Sequence, residues 1–154
     1  MKHVKRSVLL WYSPREMFEL VTAVRDYPQF LPWCERAEVL EQHDDGITAR
    51  LTLAKSGVRH AFTTRNVHHG AREVRVQLVD GPFSELEGTW AFAPVGRAGQ
   101  ALDADAEACR IGFDLRYAFA NGALEALVSP VFDRIADTLV DSFVLRAEQV
   151  HGPR

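Results

Sequence analysis

The 154-residue chain predicts an α+β fold, in which a curved antiparallel sheet of about seven strands wraps around one long C-terminal helix. Three patterns lead there. Short runs of alternating apolar and polar residues recur between residues 38 and 119, separated by turn signals. A strong helix start, Ser13-Pro14-Arg15-Glu16, follows the first run. An apolar stripe at helical spacing then fills residues 122–150. A sheet of that size twists and curls, and a helix that long must lie across it to bury its stripe.

Residues 2–11 read as a strand ending in Val8-Leu9-Leu10-Trp11. Ser13 can cap the next helix, Pro14 suits its first position, and Glu16 completes a capping box. Met17, Leu20, Val21 and Val24 share one face, and the helix should stop before Asp26-Tyr27-Pro28. The segment Tyr27-Pro28-Gln29-Phe30-Leu31-Pro32-Trp33-Cys34 sets large apolar side chains among prolines, which suits neither a helix nor a central strand. It reads as a rigid apolar turn that plugs the core or forms the mouth of a pocket. Spacing alone favours the plug.

The chain then alternates as a meander. Val39 and Leu40 lead into a turn at Asp44-Asp45-Gly46, after which Ile47, Ala49, Leu51 and Leu53 share a face. Ser56-Gly57 turns the chain again, and residues 58–67 pair with 72–79 around His68-His69-Gly70. Asp80-Gly81-Pro82 interrupts before a strand over 83–93 that sets Leu86, Trp90 and Phe92 on one side. Cys109, Ile111, Phe113, Leu115, Tyr117 and Phe119 alternate on the last strand, with Gly96–Ala106 as a flexible hairpin tip before it. The final helix carries Leu124, Val128, Val131, Ile135, Leu139, Phe143 and Val150, and Pro130 should kink it or split off its first turns. One domain over 1–150 and a disordered tail over 151–154 are expected.

Composition is that of an ordinary soluble domain, with 47% hydrophobic residues, 25% charged and a net charge of −3. That charge gives no overall pull toward DNA or anionic lipid. No run is apolar and long enough to span a bilayer, and the N-terminus lacks the apolar centre of a secretory signal. Two cysteines make no disulfide framework, so a reduced cytoplasm is expected. Local charge is less even. Lys55, Arg59, Arg65, Arg72 and Arg75 face only Glu73, while Glu35, Glu38, Glu41, Asp44 and Asp45 face only Arg36. The basic stretch is the candidate contact for RNA or lipid headgroups.

No Gly-rich phosphate loop, nucleophile elbow or zinc-spaced cluster is present. His68-His69 reads as a solvated turn, and Cys34 as a packing residue. Glu85 and Glu87, near Asp80, are the only paired carboxylates that suggest acid–base work. No catalytic set and no metal site is assigned. Aromatic surface is abundant instead, from Phe62, Phe83, Trp90, Phe92, Phe113, Tyr117 and Phe119. Alternation fits a filled core and a lined cavity equally well.

Several blocks resemble a known family. They are the Tyr27–Cys34 segment, Lys55-Ser56-Gly57, Phe62-Thr63-Thr64-Arg65-Asn66, and Leu78-Val79-Asp80-Gly81-Pro82-Phe83 with Leu86, Gly88, Trp90 and Phe92 after it. Cys109-Arg110-Ile111 and the stretch from Phe132 to Ala147 complete the set, in order along the whole chain. The chain resembles the coenzyme Q-binding START-like family and its bacterial ribosome-association toxin branch, within the polyketide cyclase/dehydrase superfamily. The resemblance implies a helix-grip (START/Bet v 1-like) fold, with a hydrophobic tunnel between sheet and C-terminal helix. Phe30, Leu31 and Trp33 would form its entrance. Leu51, Phe62, Leu78, Phe83, Trp90, Phe92, Ile111, Phe113, Leu115, Val131, Ile135, Leu139 and Phe143 would line it. The implied ligand is ubiquinone or a similar isoprenoid lipid, bound as cargo in support of respiration and not as a catalytic cofactor. Transient contact with the surface of the inner membrane goes with that role. The alternative it implies is binding to the large ribosomal subunit and a block of subunit joining. A cyclase-like enzyme with Glu85 or Asp80 as base is a further alternative.

Overall fold

The computed structural model describes residues 1–154 and contains β1 (Lys2–Leu10), α1 (Pro14–Thr22), a 3₁₀ turn (Val24–Gln29), β2 (Cys34–His43), β3 (Gly46–Lys55), β4 (Val58–His69), β5 (Glu73–Asp80), β6 (Phe83–Val95), β7 (Ala108–Phe119) and α2 (Gly122–His151). The strands form one seven-stranded antiparallel sheet in the order β1-β7-β6-β5-β4-β3-β2. The α+β, helix-grip reading therefore holds. Register sets the inner face. Leu86 sits opposite Tyr117, Trp90 opposite Phe113 and Phe92 opposite Ile111, while Val8 on β1 meets Ile111 from the other side. The β6 and β7 side chains point at α2 and belong with it to a 27-residue buried cluster, against which Val8 packs half-buried.

Local chemistry accounts for the helix ends. The Glu16 N–H donates to Ser13 Oγ at 3.0 Å, and the Ser13 N–H donates to Glu16 Oε1 at 2.8 Å, completing the capping box. The first helix stops at Thr22, earlier than expected, and Pro28 lies inside the 3₁₀ turn that follows. A 3₁₀ turn has few bonds to lose to a proline, and the Tyr27 hydroxyl ties it back to the Val21 carbonyl. The turn between β4 and β5 also shifts: β4 continues through His69, so His68 is not in a solvated turn but packs edge-on against Phe18, with ring centroids 5.5 Å apart.

Three other expectations change. Pro130 does not split the final helix, which is continuous over 30 residues. The carbonyl it deprives of a partner is that of Ala126, and both residues are exposed, so water can serve it. The Gly96–Ala106 tip is anchored rather than free: the Arg15 N–H donates to the Ala104 carbonyl at 2.9 Å, and the Arg15 guanidinium meets Asp105 at 2.9 Å. The expected disordered tail folds back on α1. Tyr12 donates to the Gly152 carbonyl at 2.7 Å, and Arg154 grips Glu16 with bonds of 2.7 and 3.0 Å.

A four-residue polar cluster joins the N-terminal strand to α2. Asp133 accepts from Ser129 at 2.8 Å, from Tyr117 at 2.5 Å and from Lys2. Burial pulls the Asp133 carboxyl upward, but hydrogen bonds from Lys2, Tyr117 and Ser129 outweigh it and hold the group below the usual carboxylate range. Burial, with Asp133 beside it, raises the Tyr117 phenol.

Candidate functional site

Between the inner face of the sheet and α2 lies a cavity of about 100 Å³, lined by 17 residues of which 14 are hydrophobic. Leu51 of β3, Phe62, Thr64 and Asn66 of β4, and Val76 of β5 form one wall. Leu86, Gly88 and Trp90 of β6 and Phe113 and Leu115 of β7 form the floor. Phe132, Ile135, Ala136, Leu139 and Phe143 of α2 form the roof, and Tyr27 and Trp33 close one end.

Nine of the residues expected to line a pocket do so: Trp33, Leu51, Phe62, Trp90, Phe113, Leu115, Ile135, Leu139 and Phe143. The others pack around it. Leu31, Phe92 and Ile111 are fully buried in the core. Phe83 sits in an aromatic cluster with Phe62, Tyr117, Phe119 and Phe132 at centroid distances of 4.9–6.2 Å. Leu78 and Val131 pack half-buried on the core. Phe30 is half-buried between Tyr27 and Phe143 and carries the Arg146 guanidinium 4.9 Å above its ring. Of the expected entrance, Trp33 alone reaches the cavity, and Leu31 acts as the plug. Pattern reading missed Tyr27, Thr64, Asn66, Val76, Leu86, Gly88, Phe132 and Ala136 as lining. Thr64 and Asn66 carried a usable signal, since they alternate with Phe62 and so share its inward face.

The tunnel expected along the helix is a single chamber instead. Its volume lies below the ~300–1,000 Å³ usual for drug-sized ligands. It is also smaller than the ~150 Å³ apolar cavity that takes up benzene. Aromatic packing explains the difference: the Phe83 cluster fills one side, and Phe92, stacked on Trp90 and edge-on to Phe18 at 5.9 Å, fills the other. A polyisoprenoid tail needs more room than this.

Polar groups in the chamber are few. The Thr64 hydroxyl donates to Asn66 Oδ1 at 2.8 Å. Two glycines press the β4 backbone into place behind them. At Gly46, with φ +152°, a Cβ would lie 1.9 Å from the Asn66 carbonyl oxygen; at Gly81, with φ +151°, it would lie 2.7 Å from Phe62 Cβ. Burial raises the Tyr27 phenol far above its ordinary range. No carboxylate lines the chamber. Glu85, Glu87 and Asp80 are exposed, because the alternation that points Leu86 and Gly88 inward turns Glu85 and Glu87 outward. Those acids therefore cannot serve the chamber as catalytic bases. Burial pushes the Cys34 thiol up to about 11, consistent with a packing residue.

The basic segment is largely neutralised. Arg59 pairs with Glu35 at 2.9 Å, Arg65 with Asp45, and Arg75 with Glu73 at 3.2 Å. The acidic β2 hairpin and basic β4 flank β3 on either side, so their charges meet across it. Lys55 and Arg72 remain exposed without an ion pair, at opposite ends of β4.

Comparison with known proteins places this architecture. The family model "Polyketide cyclase / dehydrase and lipid transport" matches residues 10–144. The chain is 40% identical over 150 residues to ribosome association toxin RatA of Pseudomonas aeruginosa, covering 97% of this chain and 98% of that protein. Against the Escherichia coli protein of the same name it is 37% identical, covering 100% of this chain and 92% of the other. A more distant relative, coenzyme Q-binding protein COQ10 homolog B of Xenopus laevis, is 27% identical; the alignment covers 95% of this chain but 58% of that protein. Among solved structures, a START superfamily protein from Mycobacterium smegmatis superposes with a TM-score of 0.75 at 19% identity, covering 96% of this chain and 98% of that one. Matched in sequence from Leu10 to Val144, this chain belongs to the polyketide cyclase/dehydrase and lipid-transport family.

Proposed function

We propose that this protein associates with the ribosome, with the large subunit as its partner. Full-length identity of 37–40% to proteins named as ribosome association toxins carries the reading. The chamber weighs in the same direction, since its size suits a structural void better than a long lipid. Lys55 and Arg72 are the cations of the basic segment left for rRNA phosphates. Sedimentation of purified protein with separated subunits, at several salt concentrations, tests the reading. Co-migration with the large subunit that weakens as salt rises is expected, and Lys55→Glu with Arg72→Glu should reduce it. A protein that stays at the top of the gradient at low salt refutes it. Unchanged binding by the double variant refutes that surface alone.

A second reading rests on a different observation, the apolar lining of the chamber together with the COQ10-named relative. In it the chamber holds the ring of an apolar compound such as ubiquinone, and the tail requires the chamber to open. Mass spectrometry of the protein purified from respiring cells, before and after solvent extraction, is the test. Absence of any extractable apolar compound, with no uptake of added quinone, removes it.

A further inference from the structure

Thr64 and Asn66 are out of character with the wall they belong to. Fourteen of the 17 lining residues are hydrophobic, and Thr64 is 6% exposed. A polar pair facing such a wall costs free energy unless its hydrogen bonds are made. One is made within the pair, from the Thr64 hydroxyl to Asn66 Oδ1 at 2.8 Å. The Asn66 amide nitrogen takes no partner from the chain; the residue is half-buried and no buried side-chain nitrogen or oxygen goes unpaired, so this donor faces the mouth of the chamber, where solvent or a ligand can meet it. The Tyr27 hydroxyl is already committed to the Val21 carbonyl.

We propose that Thr64 and Asn66 anchor a ligand in the chamber by hydrogen-bonding the oxygen of a small six-membered ring, a ring carbonyl or a ring hydroxyl. This rests on the second reading above, that the chamber takes an apolar ligand. The pair can meet either oxygen. With Thr64 donating to Asn66, the amide N–H₂ is free to donate to a carbonyl. With the amide turned over, it donates to Thr64 Oγ1 and leaves a carbonyl oxygen to accept from a hydroxyl. At about 100 Å³ the chamber is tighter than a cavity that holds benzene, so a ring enters with the opening that the second reading already requires, and Trp90, Phe113 and Phe143 line its path. The backbone behind the pair is firmly held. Arg65 donates to the Asn66 carbonyl at 2.9 Å and is itself held by Asp45, while Gly46 packs directly on that carbonyl. Such support fixes the position of an anchor.

Phenol and toluene, which differ little in size and differ in one hydroxyl, separate the possibilities. Each is titrated into the full chain and followed by the methyl resonances of Leu115 and Leu139, which line the chamber. The expected result is binding of both, with the phenol-to-toluene affinity ratio falling about tenfold in Asn66→Leu. Thr64→Val, close in shape to threonine, should lower the same ratio, and guards against a variant that merely unfolds. A ratio unchanged in both folded variants, with toluene still bound, overturns the anchor and leaves the apolar chamber standing. If neither compound shifts the methyl resonances of the wild-type chain, the apolar-ligand reading falls and the anchor falls with it.

Discussion

Filling the chamber separates its role in stability from any role in binding. Ala136 lines it from α2 and is 1% exposed, so Ala136→Leu adds three carbons directly into the void. At ~0.8 kcal/mol per buried CH₂ the ceiling is about 2.4 kcal/mol. A cavity coefficient of ~24 cal/mol per Å³, applied to the roughly 100 Å³ available, gives a similar figure. Leu and Ala have nearly equal helix propensity, so the backbone contributes little. Imperfect fit should reduce the gain to about 1–2 kcal/mol. For a chain of this length that is a rise in Tm of roughly 2–8 °C. Thermal melts followed by near-UV circular dichroism read it. Sedimentation with ribosomal subunits should be unchanged, and uptake of toluene should be lost. A lower Tm would mean that the leucine meets packed atoms, and the chamber argument would fail with it.

Three other outcomes are expected. Asp133→Asn should destabilise the protein at neutral pH. The native carboxyl lies below its usual value, so the stability it lends is present above the unfolded pKa of about 3.9 and is lost as pH falls through the lower folded value. The gap between wild type and variant, read by urea melts, should therefore narrow below about pH 4, and a gap that widens there would contradict the sign. Gly46→Ala should cost about 2 kcal/mol or more, from left-handed backbone strain and the collision with the Asn66 carbonyl, and a near-neutral urea midpoint would show that β4 yields easily. Cys34, with its thiol pushed up to about 11, should resist iodoacetamide at pH 8 in the native state and react once unfolded, as mass spectrometry would show; rapid native labelling would mean the Tyr27–Cys34 segment opens.

The fold was legible because period-two alternation and a 3.6-residue stripe each dictate a single geometry. Cys109 to Tyr117 lies inward as alternation requires, and Ser13 with Glu16 forms the cap that their spacing announces. Errors fell where a local rule met a neighbour elsewhere in the chain. Pro130 reads as a break, yet it spares the helix because its orphaned carbonyl is exposed. Residues 151–154 read as loose, yet Glu16 and Tyr12, far away in sequence, hold them. The five bases of the Lys55–Arg75 segment read as a patch, yet Arg59 and Arg65 meet partners on β2 and in its turn that become neighbours only after β3 lies between them. The chamber was hardest to read, since a void and a filled core need the same inward residues. Its shape depends on how Phe83, Phe92 and Phe132 interlock, which no periodicity records.

The position of the chamber follows from how α2 is held. The side-chain hydrogen bonds and ion pairs that tether α2 and its C-terminal tail run to one side of the helix or to its end. Lys2 and Arg6 of β1 reach Asp133 and Asp141, Tyr117 of β7 reaches Asp133, Tyr12 and Glu16 hold the C-terminal end, and Gln29 meets Arg146. None comes from β2, β3, β4, β5 or β6. Directional bonds fix a distance between helix and sheet along the β1–β7 seam. Across the other half of the sheet only non-directional apolar contact acts, and it closes the gap as far as side-chain shapes permit. Small residues at Ala136 and Gly88 fall where that contact is loosest, and there the chamber remains. The two readings thus draw on different parts of one molecule: the exposed cations Lys55 and Arg72 at the turns that flank β4, and an interior whose opening would leave the pinned seam intact.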